Sequence, residues 1–150
     1  MEYTTLGSTG LEVSKICLGC MSFGSSEYRD WPLDEDESTE IIERAIDLGI
    51  NFFGIANVYS EGNSERVLGN VLSEYDRDEQ VVATKVFFSP LFFADDEESH
   101  PNASGLSRKT IEQELQNSLN RLGMDTVDLY QYYFVYHGVR PTHGRNRESG

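Results

Sequence analysis

Residues 34–53 read DEDESTEIIERAIDLGINFF, and a second stretch, residues 63–84, reads NSERVLGNVLSEYDRDEQVVAT. Each opens on a helix-starting residue, carries apolar side chains at helical spacing and runs into a short apolar segment. In the first, Asp34 and Glu37 have the spacing of a capping box, and the acidic cluster Asp34–Glu37 suits the positive end of a helix. Ile41, Ile42, Ala45, Ile46 and Leu48 form the apolar stripe, Gly49 is placed to stop the helix, and Asn51–Phe53 follows as a strand. In the second, Asn63 or Ser64 is the expected cap, Val67, Leu68, Val71 and Leu72 form the stripe, and Val81–Thr84 is the strand.

The same unit recurs downstream. Ser107 caps a helix with Ile111, Leu115, Leu119 and Leu122 on one face, Gly123 closes it, and Thr126–Gln131 reads as a strand. Upstream, Ile16–Leu18 is a short strand, preceded by Tyr3–Leu6 and Leu11–Val13 around Gly7-Ser8-Thr9-Gly10, the pattern of a β-hairpin. The order is therefore a hairpin followed by β-α-β-α-β-α-β, which implies a parallel α/β sheet. An open doubly wound sheet and a segment of a (β/α)₈ barrel both fit. No G-x-G-x-x-G follows the first strand, so the dinucleotide fingerprint of the open sheet is missing. At 150 residues the chain is shorter than a whole barrel, which needs roughly 200 or more.

Twenty-six acidic residues against 12 basic ones give a net charge of -14. No basic stripe is present, which argues against nucleic acid as a partner. The lysines are Lys15, Lys85 and Lys109 alone. An acidic, lysine-poor chain is expected in a high-salt cytoplasm, where ions screen its self-repulsion. No apolar run approaches the roughly 18 residues of a membrane span, and MEYTTLGSTG has no secretory pattern, so the expected location is the cytoplasm and no membrane partner is expected. Cys17 and Cys20 are formally C-x-x-C, but they end a strand instead of opening a helix and have no second cysteine pair. They read as incidental thiols, with no metal site. The acidic run Asp95–Glu98 lacks the spacing of a calcium loop and reads as solvated.

In either architecture the functional face lies at the C-terminal ends of the strands. That places Gly19-Cys20-Met21, Gly54-Ile55-Ala56-Asn57 with Tyr59, Lys85 and Tyr132-Tyr133 together. Tyr59 beside Lys85 is a workable general acid, because an ammonium favours the phenolate and lowers a tyrosine pKa that is otherwise near 10. A surface tyrosine and a strand-end lysine with no chemical role fit the same spacing.

The segments EYTTLGSTGLEVSKICLGCMSFG, EIIERAIDLGINFF, ANVYSEGNSERVLG, VVATKV and GLSRKTIEQELQNSLNRLGMDTVDLYQ resemble the aldo-keto reductase family from the start of the chain to Gln131. The resemblance implies the N-terminal part of a (β/α)₈ TIM barrel, with the hairpin plugging its bottom and about four parallel strands and three helices. It implies carbonyl reduction with NADPH as cofactor. Of the family's Asp, Tyr, Lys and His, Tyr59 matches the general acid and Lys85 the lysine. Gly54 stands at the Asp position and Tyr133 near the His position. Gly19, Cys20 and Met21 are the cofactor-side residues of this segment. With two of four groups replaced, and the second half of a barrel unmatched, the expectation is a protein inactive on its own. The implied partners are a second copy or a complementary half-barrel; the other reading is a non-catalytic interaction module. Residues 132–150 carry no family likeness. On composition they read as a frayed polar terminus; yet in the +1 frame codons for Gly138–Gly150 can be chosen to encode Glu-Tyr-Asp-x-Pro-Met-Glu-Glu-Thr-Val-Arg-Ala, which resembles the family's continuation and points to a frameshift near codon 132.

Overall fold

The structure, a computed structural model, describes residues 1–25, 29–90 and 102–133. Two antiparallel strands, β1 (Tyr3–Thr5) and β2 (Glu12–Ser14), form the hairpin. They are followed by β3 (Leu18–Gly19), α1 (Glu35–Asp47), β4 (Phe52–Gly54), α2 (Asn63–Leu72), β5 (Val81–Val86), α3 (Arg108–Leu122) and β6 (Leu129–Tyr132). Strands β3 to β6 make one parallel sheet in chain order. A doubly wound sheet reverses its strand order at a switch point; this one does not, as in a barrel wall. The Asp95–Glu98 run and residues 134–150 of the tail, including the frameshift expectation, lie outside the described residues.

Register fixes the two faces of the sheet. Gly19 pairs with Gly54, Gly54 with Ala83, Ala83 with Leu129, and Lys85 with Gln131. Side chains alternate along a strand, so Gly54, Ala83, Lys85 and Gln131 share one face. The opposite face carries Phe53, Val82, Thr84 and Val86, each fully buried under the helices. Phe53 and Val82 form the core with Ile42, Val67, Leu68, Val71, Leu72 and Leu122. Helix α2 lies so close to α3 that a Cβ on Gly69 would stand 2.1 Å from the Leu122 carbonyl oxygen. The hairpin docks at the N-terminal ends of the strands: the Ser14 amide donates to Asn51 Oδ1 at 2.7 Å, Asn51 Nδ2 to the Glu12 carbonyl at 3.2 Å, and the Tyr3 hydroxyl to the Gly49 carbonyl at 2.8 Å.

The capping box at Asp34 and Glu37 forms, Ser107 caps α3, and Gly123 closes it in the left-handed conformation. Three expectations change. Helix α2 is entered through Gly62, left-handed at φ 87°, with no side-chain cap; Ser64 instead donates to the Cys20 carbonyl at 2.5 Å and Asn63 to that of Ser25 at 3.2 Å. The buried face of α1 is Ser38, Ile42 and Ala45, while Ile41 and Leu48 are exposed. The buried face of α3 is mostly polar, with Thr110, Glu114 and Ser118 above Leu122; Ile111, Leu115 and Leu119 are only half-buried. Strand ends also move. Ile16 is exposed ahead of β3, and β6 starts at Leu129 because the Asp128 side chain accepts the Val82 amide at 2.8 Å and the Arg77 guanidinium at 2.7 Å.

Candidate functional site

Lys85 rises from the inner face of β5, and Tyr59 comes from the loop after β4. The Lys85 ammonium donates to the Ile55 carbonyl at 2.7 Å and to the Tyr59 hydroxyl at 3.2 Å. It also lies 4.9 Å from the centre of the Tyr59 ring and 5.9 Å from that of Tyr133. The rings of Tyr59 and Tyr133 meet edge to face at 6.2 Å, and Phe88 backs Tyr133 at 5.2 Å. Tyr59 opens the kinked segment Tyr59–Gly62, in which Ser60 and Glu61 both take left-handed angles, φ 46° and 55°. Two such non-glycine residues in succession are costly, and surrounding packing has to hold them.

Burial is the leading influence on both groups of the pair. It holds the Lys85 ammonium below the usual lysine range, opposed by Tyr133, Cys20, Cys17 and Glu65. It pushes the Tyr59 phenol above its usual value, opposed by the Tyr133 hydroxyl. The sequence led us to expect a lowered Tyr59 pKa; burial of the phenol instead sets the direction upward.

The replaced positions have a definite geometry. A Cβ built on Gly54 would meet Cys17 Sγ at 3.3 Å and the Leu18 carbonyl at 3.9 Å, so the place of an acidic side chain is bordered by a thiol. No carboxylate pairs with Lys85 among the described residues. Tyr133 stands against the pair, its ring edge to face with that of Tyr59. Of Gly19, Cys20 and Met21, Cys20 is fully buried, its amide donating to the Gly54 carbonyl at 2.9 Å and its own carbonyl taken by Ser64; burial pushes its thiol up strongly. It offers a ligand no polar group. Gly19 opens on free space and Met21 is exposed, so these two alone form the accessible rim. Both cysteines are free thiols, and no metal-binding cluster exists among the described residues.

Behind the pair lies a buried polar cluster that the sequence reading missed. Glu65 of α2 is 0% exposed; one oxygen accepts the Thr84 hydroxyl at 2.7 Å and the other the Arg121 guanidinium at 2.6 Å. Glu114 accepts Asn57 Nδ2 at 2.8 Å on one oxygen and Asn117 Nδ2 at 2.8 Å on the other. Asn57 Nδ2 also donates to the Phe88 carbonyl at 2.8 Å. Arg121 bridges the two carboxylates, 4.0 Å from Glu114, and donates to Ser118 at 3.2 Å. The signal was the polar row Thr110, Glu114, Ser118 at four-residue spacing, overlooked beside the more obvious apolar row.

Comparison with known proteins places the sequence and the fold. The sequence model of the aldo/keto reductase family matches residues 15–140. The chain is 41% identical over 145 residues to a versiconal hemiacetal acetate reductase of Aspergillus parasiticus, covering 89% of this chain and 42% of that protein. It is 36% identical over 157 residues to an aldo-keto reductase of Alternaria alternata, covering 93% and 43%. Among solved structures it superposes on the holo form of an aldo-keto reductase of Bacillus halodurans with a TM-score of 0.72 and 32% identity, covering 88% of this chain and 40% of that one. The chain thus spans less than half the length of the relatives it matches, and its fold is a segment of their (β/α)₈ barrel. With the family model matched over residues 15–140 and relatives and fold in agreement, the chain belongs to the aldo/keto reductase family.

Proposed function

We propose that the described residues are the proton-donating part of a carbonyl-reducing site, completed for turnover by a complementary half-barrel, either a separate chain or a second copy. The observation that carries this reading is the 3.2 Å contact between the Lys85 ammonium and the Tyr59 hydroxyl at the C-terminal ends of the strands. A reduced nicotinamide, NADPH by family, would supply the hydride for the carbonyl carbon when bound. Tyr59 hands its proton to the carbonyl oxygen, and the Lys85 ammonium holds the phenolate that remains. Gly19 and Met21 fit one edge of an extended dinucleotide, because the space over Gly19 is open.

The chain by itself turns over nothing when dilute and monomeric. When concentrated into assemblies, it oxidises NADPH in the presence of a small aldehyde. Tyr59→Phe lowers that rate by about 100-fold or more, the usual contribution of a general acid. Equal rates for the two proteins overturn the reading, and no aldehyde-dependent oxidation at any concentration removes the second copy as the completing half. The second outcome supports a non-catalytic interaction module on a reductase scaffold, a reading favoured by Gly54, which leaves Lys85 without a carboxylate partner.

A further inference from the structure

We propose that Glu65 and Glu114, acting through Thr84 and Asn57, are positioning residues that set Tyr59 against Lys85; this rests on reading that pair as the proton donor. Thr84 immediately precedes Lys85 on β5. Neighbouring strand residues point to opposite faces, so Thr84 reaches out to Glu65 while Lys85 reaches in to Tyr59. Asn57 lies two residues before Tyr59, and its amide nitrogen is held by Glu114 and by the Phe88 carbonyl just past the end of β5. Arg121 joins the two carboxylates. Both backbone segments that carry the pair are therefore tied to one cluster spanning α2, α3, β5 and the β4–α2 loop.

The arrangement is more specific than general stability requires. Apolar side chains could fill the same space between α2, α3 and the sheet, as they do around Val67, Leu68 and Leu122. The cluster instead gives hydrogen bonds to the two residues that adjoin the chemistry, and buried polar networks fix geometry when each member is satisfied. Glu65, Thr84 and Asn57 are each at most 1% exposed, so no solvent competes for these bonds.

The test labels the lysines and tyrosines of the full chain with ¹³C and follows their NMR signals with pH. Only three lysines are present. Lys85→Arg and Tyr59→Phe assign the two signals. The titratable groups that face Lys85 are Tyr59, Tyr133, Cys17 and Cys20, with Glu65 behind the sheet. Thr84→Val removes one hydroxyl and keeps the shape. It is expected to let water reach Lys85, moving its midpoint up by about 0.5 pH or more. Glu114→Gln weakens the hold on Asn57 and is expected to shift the Tyr59 signal. Glu112→Gln, which breaks the exposed pair with Arg108, leaves both signals in place. Wild-type midpoints and shifts in folded Thr84→Val and Glu114→Gln proteins overturn the proposal and leave the cluster a stabilising role only. If Thr84→Val does not fold, Thr84→Ser, which keeps the hydroxyl, must restore both the fold and the Lys85 midpoint, and Glu114→Gln decides the outcome. None of these measurements needs turnover, so an inactive pair and an independent cluster give different results.

Discussion

Gly54 is where a single side chain changes the electrostatics of the site. Its missing Cβ faces Cys17 Sγ at 3.3 Å, a neighbour that can give way by a few tenths of an ångström. Gly54→Asp is therefore accommodated and places a carboxylate beside Lys85. An opposite charge favours the ammonium, so the Lys85 midpoint rises from its lowered position in that variant, as the same ¹³C titration reads. An unchanged midpoint shows that the new carboxylate does not reach the ammonium. Lys85 also gives the fold a pH dependence. Burial holds its folded pKa below the usual lysine value of 10.5. Between the folded value and 10.5 the unfolded chain binds more protons, so this residue makes stability rise with pH there. Below the folded value its charge is a standing cost. Lys85→Met removes both effects: it stabilises the protein at neutral pH, and its advantage shrinks as pH climbs through that window. Urea unfolding of both proteins at several pH values checks the sign, and an advantage that grows with pH contradicts it.

Among the elements, the α2–α3 contact sets the spacing of the wall behind the site. A Cβ on Gly69 would lie 2.1 Å from the Leu122 carbonyl oxygen and 2.7 Å from its Cα, which is backbone and cannot rotate aside. Gly69→Ala forces the helices apart and costs about 1–3 kcal/mol, the usual penalty of overpacking, despite the better helix propensity of alanine. Denaturant midpoints measure it; a stabilised variant shows that the helices separate freely. The same elements show what could be read from the sequence. Asp34, Glu37, Ser107 and Gly123 were legible because capping and helix stops depend on residues a few positions apart. The four-residue apolar run of α2 was legible because all of it faces the core. The cap of α2 was not, since Ser64 is claimed by the Cys20 carbonyl, a contact 44 residues away. Nor was the polar face of α3, because Glu114 and Arg121 are buried only by virtue of partners on other elements. Tyr59 and Lys85 could be placed from strand ends alone, but their pKa shifts could not, because burial is a property of the assembled walls.

At the scale of the whole molecule, four sequential parallel strands leave β3 and β6 as sheet edges among the described residues. Edges of this kind pair with other chains unless they are guarded. β3 is guarded by its length of two residues, whereas β6 is longer and carries Tyr132 at 59% exposure. The net charge of -14 opposes any meeting of two copies. Salt weakens that repulsion, as the screening length falls from about 10 Å at 0.1 M to about 3 Å at 1 M, while leaving the edge and its apolar side chains unchanged. The proposed completion by a second copy therefore predicts a salt-driven association. In sedimentation experiments the mass is near 17.0 kDa in dilute buffer and rises towards twice that value as KCl increases. Tyr132→Lys, which adds a charge to the β6 edge, weakens the rise. A mass that stays at 17.0 kDa across the whole salt series removes the second copy as the completing partner.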